Sequence, residues 1–501
     1  MPRSWAESRS FKMPTHFAHS VKFNAAMNTI LTASNMVIGA ITIPYITRTL
    51  SVEGYGNVTF AQNISQWLST ICLVGIPAYG IRECARVRHD ERQLASVVKE
   101  LLIIITGCTS TVLGCFALTI VFVPRLRGLS VLMLMFLVST LLLSYGVEWF
   151  FQAMEEYEYI TIRSVVFKTL SFVAMLIFVR ADGDYLIYGA ITAFVTCGNN
   201  VLNLIRLGNM IDLRTPVPLR IRRHVKPLAS FAIQSIASSI YLFFDSILLG
   251  MLSANNMQVG FYQLAAKLKG VCWSVINAIV GVLVPRLSYY AKHSMRQYHD
   301  LVGKGFGAIC NLCLGLCCYL VMEAEPLTIW VSTEKYLDAA IAVRIIGLVS
   351  FFSCMSTFLG LCILTPLDRE NRLAASNLMG VPISLAGNLL LDARFGATGA
   401  AISMLVAEIV ICTMQMHYSW DVLCKSVNLG RLCRMGGCHA CSFATLSMLL
   451  YNAPGLSMGC AVQVVAGMFA YCSVWLAAGL LLREETVCWV FGLVRSKLTR
   501  G

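Results

Sequence analysis

The sequence predicts an all-α, multi-pass membrane protein, and three observations predict it. The first is composition: of 501 residues 57% are apolar and only 13% charged, and the mean hydropathy is +0.70. Soluble domains carry about a quarter charged residues, so this chain lacks the polar side chains to cover a water-facing surface, which excludes a cytosolic enzyme. The second is length: the apolar residues gather into runs of about 20, enough helix to cross about 30 Å of hydrocarbon. The third is the placing of Lys and Arg between those runs. A nucleic-acid binder collects them on one polar domain, so the net charge of +13 does not point to nucleic acid. The twenty cysteines lie mostly inside the runs and are not the disulfide framework of a secreted domain.

Fourteen spans follow in order. Residues 1–22 are polar and basic, and the apolar stretch after them is too long for the h-region of a signal peptide, so 23–46 is expected as a retained first helix. The next five are 57–80, 96–123, 130–152, 160–179 and 186–205. A basic loop, 206–226, carries Pro216, Pro218 and six Lys or Arg, and reads as a hinge. Six more spans come after it: 227–252, 259–285, 301–322, 338–364, 374–391 and 396–419. The last two, 438–452 and 459–482, stand outside this six-plus-six pattern. The expected domains are 1–226, 227–435 and 436–501. With the N-terminus inside, the inner segments hold 26 of the 39 Lys and Arg residues and the outer ones six. That bias orients the protein with both termini in the cytoplasm, and contact with anionic lipid accounts for the positive charge.

An internal repeat supports the two halves. Aligning Gly56 with Gly260 also aligns Ala61 with Ala265 and Arg82 with Arg286, and YGAIT (188–192) is echoed by TGAAIS (398–403). Both copies start inside, so the repeat is parallel, as in transporters that bind substrate near the repeat interface.

Polar stripes run along the first, second, seventh and eighth spans. Successive helical residues turn by about 100°, which puts Asn24, Asn28, Thr32, Asn35 and Thr42 on one face of the first span. Thr59, Asn63, Gln66 and Thr70 share a face of the second, and Gln234, Ser238, Tyr241 and Asp245 of the seventh. On the eighth the set is Gln263, Lys267, Ser274 and Asn277. Amides and ions facing lipid are costly, so these stripes face either a shared hydrated cavity or neighbouring helices that they bind by hydrogen bonds. Lys267 and Asp245 are expected at matching depth on antiparallel neighbours. They form either a structural pair, or a cation aimed at an anionic substrate beside a gate or coupling-ion carboxylate. Lys269 lies about 200° around the helix from Lys267 and falls off the stripe. Lys168 is near the middle of the fifth span and Glu408 is central on the twelfth, each facing the cavity or privately paired. Pairing is expected for Arg344 and Glu408, and snorkelling for Arg163 and Lys304.

Enzymatic motifs are missing. There is no Walker A loop and no HExxH. Cys433, Cys438, His439 and Cys441 lie close together, but no second CxxC completes a tetrahedral metal set. Neither a metal nor a cofactor is expected. The longest outer loop is about 15 residues, short for the reaction chamber of a glycan polymerase or ligase.

Two stretches carry a resemblance. PYITRTLSVEGYGNVTFAQNISQWLSTICLVGIPAYGIRECARVR (44–88) and VEWFFQAMEEYEYITIRS (147–164) resemble signatures of bacterial polysaccharide flippases of the Wzx type. These belong to the multidrug/oligosaccharidyl-lipid/polysaccharide exporter superfamily. LLGMLSANNMQVGFYQLAAKL (248–268) and VLVPRLS (282–288) fit its seventh and eighth helices. The resemblance implies a MATE-like bundle of two six-helix lobes plus two C-terminal helices, in a bacterial cytoplasmic membrane. It also implies alternating access that carries an undecaprenyl-diphosphate-linked oligosaccharide to the outer leaflet for polysaccharide biosynthesis. The cavity of such proteins is lined by the first, second, seventh and eighth helices. By position Lys267 becomes a cavity cation, Arg48 and Arg82 mark the mouths, and Asp245 and Glu408 become candidates for coupling to H+ or Na+. Membrane lipids and a polysaccharide polymerase machinery are the implied partners. Two other functions fit the sequence: a cation-coupled multidrug exporter on the same fold, and a membrane glycan polymerase or ligase.

Overall fold

The computed structural model describes residues 21–212, 219–452, 459–485 and 487–488. Pro216 and Pro218 of the expected hinge lie outside them, as does most of the polar segment 1–22. Every described regular element is helical. The first half contains α1 (Val21–Thr49), α2 (Val52–Leu73), α3 (Ile76–Val87), α4 (Glu91–Phe122) and the single turn α5 (Pro124–Arg127). It continues with α6 (Ser130–Ser144), α7 (Glu148–Ala153), α8 (Tyr157–Phe178) and α9 (Tyr185–Met210). The second half begins with α10 (Arg222–Leu252), α11 (Met257–His293), α12 (Met295–Met322), α13 (Ala324–Val331) and α14 (Ala339–Phe358). After it come α15 (Glu370–Phe395), α16 (Ala397–Tyr418), α17 (Trp420–Ser426), α18 (Leu429–Asn452) and α19 (Cys460–Leu481).

Among the described residues twelve helices are long and apolar enough to cross a membrane, thirteen if α2 and α3 are taken as one span bent by 41°. Each of the fourteen expected spans maps onto a helix. Three of them differ from an unbroken apolar rod. The second span breaks at Val74 and Gly75, both with positive φ, where a left-handed residue ends a helix. The fourth breaks at Val147, again with positive φ. The thirteenth, within α18, opens on Arg431, Arg434 and paired glycines and is not among the twelve.

The chain divides into two compact units. One takes the chain up to Thr42 and Ala61–Phe243; the other takes Ile43–Phe60 and everything from Phe244 on. The division therefore falls inside α1, α2 and α10, not in the 206–226 loop.

In the first unit, Tyr79, Leu94, Val98, Leu101, Trp149 and Phe150 form the apolar core where α3, α4 and α7 meet. Gly80 lies so close to the Trp149 ring that a Cβ would overlap it. Beside this core, buried Glu100 on α4 accepts from Arg223 at 2.7 Å, from the Arg220 amide at 2.6 Å and from His224 at 2.6 Å. His224 in turn bonds the Tyr79 hydroxyl at 2.7 Å. The start of α10 is thereby fixed to α3 and α4.

In the second unit, α11, α12, α14 and α16 pack around Tyr298, Ile309, Cys313, Cys354 and Phe358. The cysteines of the ninth span fill this core as small apolar groups. Outside the spans, Arg369 grips Asp421 through two bonds of 2.8 and 2.7 Å, which lowers the Asp421 pKa below its ordinary value. His439 uses one ring nitrogen on Tyr471 and the other on Asn311, so it is committed to hydrogen bonds.

The repeat is visible as a reciprocal contact inside the second unit. A Cβ on Gly56 would overlap the backbone carbonyl of Asn256, and a Cβ on Gly260 would overlap that of Val52. Gly56 and Gly260 are repeat equivalents, and so are Val52 and Asn256. Each glycine thus receives the carbonyl of the other copy, with a side-chain bond of 2.7 Å from Asn256 to Asn57 closing the crossing. Only a missing side chain lets backbones approach this closely.

Gly56→Ala or Gly260→Ala is expected to cost about 1–3 kcal/mol through overpacking, seen as a lower thermal unfolding midpoint of the detergent-purified protein. Gly107→Ala, where a Cβ meets nothing within 4 Å, should leave the midpoint unchanged or raise it. Equal midpoints for all three would contradict the crossing.

Candidate functional site

In the first unit, α1 is mostly exposed. Its hydroxyls satisfy themselves on the preceding turn: Thr32 donates to the Asn28 carbonyl and Thr42 to that of Ile38. The amides behave differently. Asn24 is buried, while Asn28 and Asn35 are exposed. Lys168 on α8 donates to the Asn35 side chain, so two expected site residues meet. Asn63 and Gln66 on α2 and Tyr241 on α10 are half-buried, and Gln234 is exposed. Arg82 lies over the rings of Tyr79 and Phe231, at 5.3 and 5.2 Å, and pairs with Glu83 at 3.2 Å.

The motif at 147–164 is absorbed into the same unit as a charge network. Arg163 is buried and donates to Glu148 at 3.0 Å and Asn199 at 3.1 Å. Asn199 and Glu148 hold its Nε and Nη2 inside the unit, while its Nη1 has no partner among the described residues. Arg206 pairs with Glu156 at 2.7 Å and stacks 4.1 Å over the Tyr159 ring, and Arg88 reaches Glu155 at 2.9 Å.

In the second unit, Arg48 donates to the Trp330 carbonyl at the end of α13, a place where a cation suits the helix dipole. Gln263 is buried and donates to Ser246 at 2.5 Å; it is helix-to-helix glue and faces no open space. Asn277 is half-buried. Arg344 donates to Glu325 at 2.6 Å, and Lys304 to Asp300 at 2.8 Å.

Asp245 and Lys267 do not pair. The turn joining α10 to α11 is tighter than the sequence spacing suggests, so Asp245 lies opposite Tyr262 and Ser246 opposite Gln263. Lys267 is more than one helical turn beyond Tyr262, exposed, with no hydrogen bond or ion partner among the described residues. Lys269 is the ion-paired lysine: its ammonium lies 3.3 Å from Glu408.

Asp245 is instead the centre of a buried acidic cluster. One of its oxygens accepts from Ser384 at 2.7 Å and Asn388 at 2.6 Å, and the other accepts from the Tyr262 hydroxyl at 3.0 Å. Asp392 follows one turn after Asn388 on α15. It is 1% exposed, neither carboxylate oxygen has a hydrogen-bond partner among the described residues, and the charge of Asp245 acts on it. Ser384, Asn388 and Asp392 are candidate site residues that the polar stripes do not include. Their signal was the i, i+4, i+8 spacing on the eleventh span, hidden because that span was ended at 391 and Asp392 assigned to a loop.

A bundle of membrane-crossing helices with polar side chains on exposed intramembrane faces, and with a fixed carboxylate cluster inside, has the architecture of membrane transport proteins. The fold resembles that of the lipid II flippase MurJ in an inward closed conformation. The TM-score is 0.66 at 10% identity, over 92% of this chain and 99% of that one. It also resembles an inward-facing multidrug resistance MATE family transporter of the MOP superfamily, with a TM-score of 0.54 at 12% identity over 78% and 99%. Two proteins carry the name "Putative O-antigen transporter". The one from Shigella dysenteriae is 24% identical over 78% of this chain and 98% of its own length. The one from Escherichia coli (strain K12) is 22% identical over 80% and 96%. Residues 21–291, more than half of the chain, match the family described as Polysaccharide biosynthesis protein. The chain belongs to that family, and its fold is like those of MurJ and the MATE transporter.

The cluster makes a contrast in stability. Asn388→Leu strips a donor from a buried carboxylate and is expected to destabilise by about 1–3 kcal/mol. Asp392→Asn removes a carboxylate that the protein does not satisfy, so it should match or exceed the wild-type unfolding midpoint. Loss of stability in Asp392→Asn as large as in Asn388→Leu would mean that Asp392 is held by a partner.

Proposed function

We propose that this protein is a flippase: it moves an undecaprenyl-diphosphate-linked oligosaccharide repeat unit from the inner to the outer leaflet by alternating access, for polysaccharide biosynthesis. The observation that carries the reading is Lys267. Arg163, Lys269, Lys304 and Arg344 each hold a carboxylate, whereas Lys267 is exposed on a membrane helix and holds none. A cation kept unpaired at that depth is expensive, and a diphosphate is the kind of group that repays the cost.

The head group cannot cross hydrocarbon unaided, since each unpaired hydroxyl costs several kcal/mol and each charge far more. The exposed amides of Asn28 and Gln234 and the half-buried Asn63, Gln66, Tyr241 and Asn277 offer hydroxyl partners along its path. The prenyl tail stays in lipid. Lys168, bonded to Asn35, is a second cation for the phosphates, and Arg48 and Arg82 are assigned to the ends of the path. Asp245 and Asp392 bind the coupling cation, H+ or Na+, and Glu408 holds the neighbouring Lys269. Transporter names among the relatives support transport over glycan synthesis; a polymerase or ligase would form product with no leaflet change.

Complementation of a flippase-null strain tests the proposal, with surface glycan and inner-leaflet precursor both assayed. Restored glycan is expected, with Lys267→Ala abolishing it at normal protein level and Lys267→Arg retaining part. No restoration across several repeat-unit types overturns the flippase reading, and export of a cationic dye in those same cells would favour the multidrug alternative. Full export by Lys267→Ala would leave the flippase standing and remove Lys267 from its path.

A further inference from the structure

Three carboxylates and one ammonium share the acidic cluster: Asp245 on α10, Asp392 on α15, Glu408 on α16 and Lys269 on α11. Other titratable groups around them are Tyr262 on α11, Cys354 on α14 and Cys412 on α16. Counted as ions, the four charged groups leave an excess of negative charge in a low-dielectric interior, where uncompensated charge is costly. Asp245 has three donors. Asp392 has none, so the balancing charge is not fixed at the acid that lacks it most.

Lys269 is placed to supply that charge. It follows Tyr262 by seven residues, about two turns, and so shares its face of α11. Its ammonium lies 3.3 Å from Glu408 and 3.7 Å from the Met404 sulfur. The same sulfur is 3.4 Å from the Tyr262 hydroxyl, which donates to Asp245 at 3.0 Å. One thioether is therefore the common neighbour of the ammonium and of the hydroxyl on Asp245. A thioether is a weak acceptor and gives a passing ammonium little to hold to. The lysine stem is flexible, with a compact charge at its end.

We propose that Lys269 is a tethered cation of the acidic site. Its ammonium trades between Glu408 and the Asp245–Asp392 carboxylates, taking the place that an external cation or proton occupies when bound. This deepens the coupling reading given above and rests on it. The consequence is that the emptied site is not left bare: as the external cation leaves, the lysine enters, so the helices of the second unit do not have to close around uncompensated carboxylates. Lys269 thereby competes with the external cation and sets the affinity for it. Glu408 is the resting place that draws the lysine away, so its charge favours external binding. Lys267, off this face, takes no part.

The two partners must then act in opposite directions. Infrared difference spectra of the full-length purified protein are recorded as Na+ replaces K+ and, separately, as pH is stepped, and are read at the carboxylic-acid carbonyl band. Lys269→Gln removes the competitor and is expected to tighten the cation midpoint by about tenfold; Glu408→Gln frees the lysine and is expected to weaken it by about tenfold, both within the usual range of coupling between sites. Lys269→Arg and Glu408→Asp, which keep the pair, should lie close to wild type. Where a single neutralisation costs the fold, the double Lys269→Gln/Glu408→Gln variant leaves no unpaired partner and should bind as tightly as Lys269→Gln. Shifts of the same sign in the two single variants mark a merely structural pair and overturn the proposal, as does a wild-type midpoint in the double variant. Asp245→Asn/Asp392→Asn tells the two levels apart. If it abolishes the signal while Lys269→Gln changes nothing, the acidic site stands and the tethered cation falls. If it leaves the signal intact, the coupling reading itself fails.

Discussion

A carboxylate inside a membrane protein must be answered by donors or by cations, and Asp245 is answered by donors from two other helices. Ser384 and Asn388 reach it from α15 and Tyr262 from α11, so this one acid ties α10, α11 and α15 together. Truncating any of the three leaves charge unsatisfied where water cannot replace the missing bond. That obligation also explains why Asp392, one turn along, stands apart. The donors available to the pair are spent on Asp245, and an acid without donors in such a place is ready for a proton or a cation. The region thus supplies donors to one carboxylate and, among the described residues, none to its neighbour.

The second constraint is steric. Gly56 and Gly260 each lie against the backbone of the other repeat, and repeat symmetry makes the contact reciprocal. A single such glycine would be a local packing solution. Two at equivalent positions make the close approach a property of the repeat itself. The segment Ile43–Phe60, which precedes most of the first half in sequence, is compact with the second half for this reason. Arg48 reinforces the arrangement by donating to the last turn of α13.

Most of the fold was legible in the sequence, because bilayer thickness and the Lys/Arg bias act on long stretches of chain. What was not legible depended on single residues. The breaks at Val74, Gly75 and Val147 come from positive φ values at positions where only glycine advertises them, and two of the three residues are valine. The site was legible in kind and not in pairing. A polar stripe identifies a face of a helix but not what that face meets, so Gln263 and Lys267 look alike although one is bonded to Ser246 and the other has no partner among the described residues. The Asp245–Lys267 match failed by about one helical turn, the length by which the connecting turn was misjudged. Asp392 was lost to a span boundary drawn a few residues too early.

The two lysines of α11 show how finely such a helix divides its work. Lys267 and Lys269 are two residues apart and so about 200° apart around the axis. One is exposed on a helix apolar enough to cross a membrane and has no counter-ion among the described residues. The other is held beside Glu408 and a methionine sulfur that also touches Tyr262. A single lysine could not serve both sides, since pairing with Glu408 would withdraw its charge from an anionic cargo. Under the proposed function, their placing on opposite faces would put a cation for the cargo and a cation for the acidic site on one helix. Under that same reading, a rotation or tilt of that helix would move both at once, the kind of physical connection that coupled transport requires.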